Sequence, residues 1–305
     1  MTSITITDLL TTIYVLVDDW YQAEGQALLA GKPGAKAEFS DSEMVTLMLA
    51  QDFIPYPGET QFVGFMRANY LHLFPKLLDQ SQFNRRARAL RFLVERLRQA
   101  WLLRLGVRDP KQLLLDTKPI PVMGYKRSKA HSEFAGRAAY GYCAARELSY
   151  FGYKLVMLTT LDGLPVLYDL VPANLDERQA AQVLTQQVRD CDIFGDKGFI
   201  SDDWQAEVLL QTGNHIWTTK RANQALQNPP EFDALLRHVR ERIESTFHTI
   251  QNTGRNVERL LAKTVHGLCT RIILKVTCLV LKQVLRRFFR IDVQSFQLLQ
   301  PSISH

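Results

Sequence analysis

Apolar residues recur at helical spacing through the first third of the chain. Over residues 8–30 they fall three and four apart, which is typical of one face of an amphipathic helix. A second helix is predicted to open at Ser40, because Glu43 stands three residues later and completes a capping-box pattern. A third helix, rich in arginine, is predicted from about residue 81 to 105. We therefore predict a helical domain over residues 1–108.

From Lys111 onwards the pattern changes to short apolar or alternating runs separated by turn residues. Five strands are predicted at 113–116, 148–160, 164–171, 191–196 and 215–219, and four helices at 176–188, 201–210, 231–250 and 257–289. Asp162-Gly163 is a hairpin turn signal between the second and third strands. Three antiparallel strands followed by helix, strand, helix, strand and helix is the order of a ribonuclease-H-like domain. The predicted fold class is α/β, with a mixed sheet in a catalytic domain over residues 109–305 that includes the C-terminal helices.

Composition narrows the class of protein further. The chain has 305 residues, of which 46% are apolar, and its 37 Lys and Arg exceed its 31 Asp and Glu to give a net charge of +6. That excess fits a polyanionic partner. The four cysteines form no CxxC pair, which argues against zinc and disulfides and fits a reducing cytoplasm. The N-terminus does not resemble a secretory signal, and the most apolar stretch, 271–285, is interrupted by lysines and too short to span a membrane, so a cytoplasmic protein with no membrane partner is expected.

Two aspartates stand where strands are predicted to end. Asp116 closes the run of three leucines at 113–115, and Asp196 follows Ile193-Phe194-Gly195. An aspartate at the end of a buried strand is costly without a partner, which favours a metal-ligand role over that of a simple turn residue. Neighbouring aspartates are weaker candidates, because they precede the strand, interrupt it or open the next helix. These rivals are Asp190, Asp192, Asp202 and Asp203.

A third carboxylate is chosen by helix geometry. On a helix over 231–250, one face carries apolar residues and must be buried. The residues of that face are Leu236, Val239, Ile243, Phe247 and Ile250. Glu244 then lies at the border of the face, about 100° from its centre, whereas Glu241 lies about 160° away and faces solvent. Two aspartates and one glutamate form a hard-oxygen site suited to Mg²⁺ or Mn²⁺, and two such ions roughly 3.5–4 Å apart would serve phosphodiester chemistry.

Basic residues supply candidate DNA contacts, each with a solvated surface residue as the alternative. The predicted DNA-binding residues are Arg85, Arg86, Arg88 and Arg91 on the arginine-rich helix, Lys118 and Arg127 in a loop after Asp116, Lys197 and Arg240. A helix-turn-helix-like arrangement would place the start of the arginine-rich helix in a major groove. No serine stands in a Gly-x-Ser-x-Gly turn and no histidine is placed beside a cysteine by motif, so covalent acyl chemistry is disfavoured.

Several motifs resemble those of DDE-type transposases of bacterial insertion sequences. They are Leu115-Asp116-Thr117-Lys118-Pro119, Gly195-Asp196-Lys197-Gly198-Phe199 and Arg240-x-x-x-Glu244-x-x-Phe247, with Phe39-Ser40-Asp41-Ser42-Glu43 and Phe83-Asn84-Arg85-Arg86 upstream. The closest likeness is to the insertion-sequence family numbered 982. Many relatives in the wider group have tyrosine three residues before the arginine and lysine seven after the glutamate, whereas this chain has Arg237 and Gln251.

The resemblance implies a ribonuclease-H fold, two divalent metal ions held by Asp116, Asp196 and Glu244, and DNA strand transfer. Its implied partners are the terminal inverted repeats of an element and a target duplex, bound by a homodimer in a bacterial cytoplasm beside the nucleoid. No small-molecule substrate or organic cofactor is expected. Residues 1–108 would recognise the element ends. Two alternatives stay open: a catalytically decayed, transposase-derived DNA-binding protein, and a metal-dependent nuclease that cuts without joining.

Overall fold

The computed structural model describes residues 2–31, 37–54, 56, 58–124, 130–143, 147–220, 227–252 and 256–296. In chain order its strands and helices are β1 (Thr2–Ile4), α1 (Ile6–Trp20), α2 (Asp41–Ala50), α3 (Glu59–Asn69), α4 (Gln80–Arg104), β2 (Gln112–Met123), β3 (Ala139–Cys143), β4 (Leu148–Thr160), β5 (Pro165–Pro172), α5 (Glu177–Thr185), β6 (Asp192–Gly195), α6 (Asp202–Thr212), β7 (His215–Thr218), α7 (Pro230–Asn252), α8 (Val265–Val284) and β8 (Ile291–Phe296). Short π-helical or 3₁₀ turns follow α1, β6, α7 and α8.

The described residues divide into two compact units. The first contains residues 2–105 and 269–296, and the second contains 106–252 and 256–268. The sequence groups all residues after 108 together, whereas most of α8 and all of β8 pack within the first unit. β8 does so by pairing in parallel with β1. In the part of the chain that the structure describes, no helix is long and apolar enough to cross a membrane.

Helix starts in the first unit follow from capping chemistry. Ser40 accepts a hydrogen bond from the Glu43 N–H while the Glu43 carboxylate accepts from the Ser40 N–H, which confirms the predicted capping box. α4 begins one residue before the predicted position, because Asp79 and Gln82 form a second reciprocal cap. The residues of α2 are buried on nearly every side of the helix, as expected for a central helix.

The second unit is built on a six-stranded mixed sheet. Its order runs β3-β4-β2-β6-β7, and β5 pairs with β4 beside β3. β4 is antiparallel to β2, β3 and β5, whereas β2, β6 and β7 are mutually parallel. Leaving β3 aside, the order β5-β4-β2-β6-β7 is the one that three antiparallel strands and two helix-connected parallel strands produce. The predicted α/β fold class, with a ribonuclease-H-like sheet preceded by helices, is confirmed.

β2 is much longer than the predicted four residues, so the prediction that Asp116 ends this strand is wrong and Asp116 lies within it. The strand continues through Pro119 and Pro121 to Met123, although proline lacks the N–H that a central strand must donate. β6 pairs with β2 only as far as Leu114, so beyond that point β2 is hydrogen-bonded to β4 alone. The prolines are tolerated because one side of the strand is open there.

The two faces of this sheet are covered by different helices. One face packs its apolar residues against α5 and α6 in a buried cluster that includes Leu113, Leu115 and Ile193. α7 packs on β2 and β6. The five apolar residues that the sequence assigns to the inner face of this helix are all buried, and Glu241 and Glu244 are exposed. The predicted buried face of α7 is therefore confirmed, whereas exposure does not distinguish Glu244 from Glu241.

Candidate active site

The parallel register of β2 and β6 brings two predicted site residues to the same level. Leu113 pairs with Ile193 and Leu114 with Phe194, so each residue of β2 lies beside the residue 80 positions later. Continued past the last pair, that register sets Asp116 level with Asp196, the first residue after β6. Neighbouring strands are about 4.8 Å apart. Asp116 and Asp196, which are 80 positions apart in sequence, are therefore placed side by side by these neighbouring strands.

Strand alternation decides which face of the sheet Asp116 occupies. Leu115 lies in the cluster under α5 and α6, and Thr117 donates a hydrogen bond to Glu177 at the start of α5. Lys118 points the other way, since its Nζ donates to Gln251 Oε1 on α7 at 2.8 Å. Because successive side chains alternate, Asp116 shares the α7 face with Lys118.

Contacts along α7 show how Glu244 stands relative to that edge. Arg242 Nη1 donates to the Leu161 carbonyl just after β4, at the level where β2 begins. Further along, Lys118 Nζ lies 5.8 Å from the centre of the Phe247 ring. α7 therefore runs in the same direction as β2. Two strand residues rise about as far as four to five helix residues, which brings Glu244 level with Asp116.

Glu244 also lies on the appropriate flank of its helix. Arg242 and Thr246 face the turn between β4 and β5, since Thr246 Oγ1 borders Gly163 and Arg242 contacts the residue after β4. At 100° per residue, Glu244 lies on the opposite flank, the same one as Gln251. In the sheet order, β6 is on the other side of β2 from β4. Glu244 is thus on the flank of α7 that is nearer to β6, the strand that Asp196 follows.

The register places Asp116 level with Asp196, but the three predicted carboxylates do not form a ligand cluster. Across the described ranges, no group of three His, Cys, Asp or Glu residues is arranged to hold a metal ion. Asp196 caps the short turn Lys197–Phe199, where its Oδ1 accepts the Gly198 N–H at 2.7 Å. Asp116 Oδ1 accepts the N–H of Thr117, also at 2.7 Å.

A fourth acid, Glu177, lies at the same edge and was not predicted from the sequence. Its Oε1 accepts a hydrogen bond from Thr117 Oγ1 at 3.2 Å. Burial, and then the charge of Asp196, raise the pKa of the Glu177 carboxyl. As the first residue of α5 after the N-cap Asp176, it looks in sequence like any first-turn acid. Only the sheet brings it beside Asp196.

The predicted loop position of Lys118 is wrong. Lys118 lies inside β2 and is buried, since the prolines after it do not end the strand. Its Nζ donates to Gln251, lies 3.6 Å from Glu258 Oε1 and faces the Phe247 ring. A direct DNA contact for Lys118 stays a prediction, and in this arrangement its ammonium is occupied by the protein.

The four arginines predicted to bind DNA on α4 differ in their surroundings. Arg85 is exposed. Arg86 is half-buried, donates to the Phe39 carbonyl and forms an ion pair with Asp41 at 2.6 Å. Arg88 and Arg91 make long hydrogen bonds of 3.4 and 3.3 Å to main-chain carbonyls of their own helix. Arg86 therefore has a structural role in the first unit, whatever else it does.

The remaining basic candidates can be placed only in part. Lys197 is exposed and directly follows Asp196. The backbone of Arg240 belongs to α7, but its side chain is outside what the structure describes. Arg127 lies outside the described residues altogether. Their DNA contacts stay predictions.

Residues 108–281 match the family model described as "Transposase DDE domain". The chain belongs to this transposase family. Comparison with curated proteins found no match. Among solved structures, "Mos1 transposase paired-end complex with left transposon end" is 13% identical over 86% of each chain, with a TM-score of 0.21. "Crystal structure of the Mos1 mariner paired end complex with Mn" is 14% identical over the same shares, with a TM-score of 0.19. TM-scores this low support no conclusion about this transposase.

Family membership explains why acids collect at one edge of the sheet. DDE transposases use divalent metal ions. The donor set of Asp116, Asp196 and Glu244 fits such an ion, because carboxylate oxygens are the ligands that Mg²⁺ and Mn²⁺ prefer.

Proposed function

We propose that this transposase cuts DNA at the ends of an insertion element and joins the freed ends to target DNA. The observation that carries the proposal is the shared level of Asp116 and Asp196 on neighbouring strands of the family's fold, with α7 over the same edge. The match of motifs to insertion-sequence family 982 supports the finer assignment.

The proposed site residues are Asp116, Asp196 and Glu244. Their carboxylates would hold two Mg²⁺ or Mn²⁺ ions. When bound, such ions activate the attacking oxygen and stabilise the leaving oxygen of a phosphodiester. The chain supplies the anionic ligands and fixes their spacing through the register of β2 and β6. No side-chain nucleophile is needed, so no covalent protein–DNA intermediate is expected.

DNA recognition is assigned to basic side chains outside this acidic edge. Residues 1–108 would bind the terminal inverted repeats, with Arg85 as the most accessible contact on α4. Lys197 would approach the phosphate next to the cut, because it follows Asp196 directly. Joining requires two ends held together, which favours a homodimer on DNA. The rest of the proposed contact set is Arg86, Arg88, Arg91, Lys118, Arg127 and Arg240.

Cleavage of a labelled element end by the full chain tests this function. Asp116→Asn, Asp196→Asn and Glu244→Gln should each lower the cleavage rate by about 10³-fold or more, as removal of essential catalytic groups does. Glu241→Gln is the matched control for Glu244, since it removes the same charge one helical turn away from an equally exposed position. Cleavage should need Mg²⁺ or Mn²⁺ and stop in EDTA.

The products separate the proposed function from its alternatives. Cleavage followed by joined product supports a transposase, and cleavage without joining at any target would indicate a nuclease. Binding of element ends without either reaction would indicate a decayed, DNA-binding descendant. Wild-type rates in all three carboxylate variants would contradict the site assignment.

A further inference from the structure

Thr117 forms hydrogen bonds with both Asp116 and Glu177, and Glu177 in turn lies near Asp196. Its N–H donates to Asp116 Oδ1 at 2.7 Å, and its hydroxyl donates to Glu177 Oε1 at 3.2 Å. Thr117 lies on β2, whereas Glu177 begins α5. The residue next to Asp116 therefore orients an acid from a different element.

The other oxygen of Glu177 approaches Asp196. A Cβ atom added to Gly198 would collide with Glu177 Oε2 and would lie only 2.9 Å from Asp196 Oδ1. The two carboxylates thus converge on the small space that glycine leaves at this position. Asp196 Oδ1 is fixed there by the Gly198 N–H. Asp116 and Thr117 within β2 are thus linked through Glu177 to the space beside Asp196, which follows β6.

This placement is electrostatically unfavourable in the absence of a cation. Two partly buried carboxylates directed at the same small space repel each other, and the low local dielectric strengthens that repulsion. The charge of Lys154, whose Nζ also donates to the Leu175 carbonyl at 2.8 Å, offsets part of it. Capping of α5 does not require Glu177, because Asp176 is the N-cap and accepts the Arg178 N–H. Glu177 therefore adds a negative charge beside Asp196 that the capping of α5 does not need.

We propose that Glu177 is a positioning residue for DNA cleavage, acting through Asp196 and Thr117 to orient the carboxylates of Asp116 and Asp196 for a divalent cation. This inference rests on the proposed function, since it takes Asp196 as a ligand. A cation bound at Asp196 relieves the repulsion from Glu177. Glu177 thus strengthens cation binding while weakening the fold that lacks the cation.

Glu177→Gln tests the proposal in the full chain, with Mn²⁺ alone as the probe. The substitution keeps the shape of the side chain and an oxygen that can accept from Thr117, but removes the charge. We expect the melting temperature without metal to rise. The affinity for Mn²⁺, measured from the electron paramagnetic resonance signal of the free ion, should fall about 10- to 100-fold, as when outer partners of metal ligands are removed.

Asp176→Asn is the matched control. It removes one negative charge from the same helix start, and asparagine caps helices as well as aspartate does. Because Asp176 is exposed and pairs with Arg178, its loss should change Mn²⁺ affinity less than twofold. Thr117→Val should weaken Mn²⁺ binding in the same direction as Glu177→Gln, and Thr117→Ser, which keeps the hydroxyl, should restore it.

The outcomes separate this inference from the function on which it rests. If Asp196→Asn abolishes Mn²⁺ binding while Glu177→Gln binds as the wild type does, the positioning role is wrong and the site survives. A lower melting temperature for Glu177→Gln, with unchanged affinity, would make Glu177 a purely structural residue. If Asp196→Asn binds Mn²⁺ like the wild type, the site assignment itself fails and the inference falls with it.

Discussion

Two consecutive residues of β2 lead to opposite electrostatic environments. Thr117 points towards α5, where Glu177 and Asp196 bring two negative charges together. Lys118 points towards α7, where its charge meets Glu258 and the amide of Gln251. Around Lys118 the positive charge is balanced by that of Glu258. Around Thr117 the two carboxylates of Glu177 and Asp196 leave an excess of negative charge. The cluster around Lys118 therefore stabilises the fold, whereas the acidic one is where a cation would be accommodated if the proposed function holds.

The largest effect on stability should come from breaking the balanced cluster. Lys118→Met removes the buried ammonium that lies 3.6 Å from Glu258, and loss of one member of a buried ion pair costs roughly 3–5 kcal/mol of unfolding free energy. Urea unfolding of the purified variant measures this. Lys111→Met is the control: its pair with Asp109 is exposed, so a much smaller loss than for Lys118→Met is expected. Equal losses in the two variants would remove the distinction between the clusters.

A smaller effect should separate the two glycines that flank Asp196. A Cβ at Gly195 would lie 2.9 Å from the buried Phe199 ring, and overpacking of a core costs about 1–3 kcal/mol. A Cβ at Gly198 meets the end of the Glu177 side chain, which can move away. Gly195→Ala should therefore destabilise the protein more than Gly198→Ala in thermal unfolding.

Gly198→Ala should nevertheless be the more harmful of the two for Mn²⁺ binding, because it displaces Glu177 from Asp196. Binding of Mn²⁺ by each variant at a temperature where both are folded gives the comparison. The reverse order, with Gly195→Ala the weaker binder, would count against the role of the Glu177–Asp196 contact.

The smallest effects concern neighbouring arginines of α4. Arg86→Ala should cost about 1–2 kcal/mol of stability, because it removes bonds to Phe39 and Asp41. Arg85→Ala should leave stability nearly unchanged and lower the salt dependence of DNA binding by about one unit of slope. Gel shifts at several salt concentrations and thermal melts measure the two properties. An Arg85 variant with an unchanged salt slope would remove it from the DNA interface.

Much of the second unit follows from the pattern of its sequence. Strand periodicity and the Asp162-Gly163 turn predict β4 and β5 closely, and helical spacing predicts the inner face of α7. These features are local, so a short window of residues contains the signal. The site residues Asp116 and Asp196 are suggested in the same way, by an acid directly after an apolar run.

Other features depend on residues far apart in the chain. The length of β2 depends on β4, which pairs with it on one side and makes its prolines acceptable. The burial of Lys118 depends on Gln251 and Glu258, more than 130 positions later. Glu177 looks like an ordinary helix-start acid until the sheet brings it to Asp196. Such pairings have no local signature, which is why the sequence pattern misses them.

We expect divalent ions to bind where β2 and β6 bring Asp116 and Asp196 side by side. Crystals of the full chain soaked in Mn²⁺ and measured at the manganese absorption edge would test it most directly. We expect anomalous peaks about 2.0–2.3 Å from carboxylate oxygens of Asp116 and Asp196, with Glu244 closing the site and Glu177 behind Asp196. Strong manganese peaks elsewhere, with none at this edge, would contradict the account.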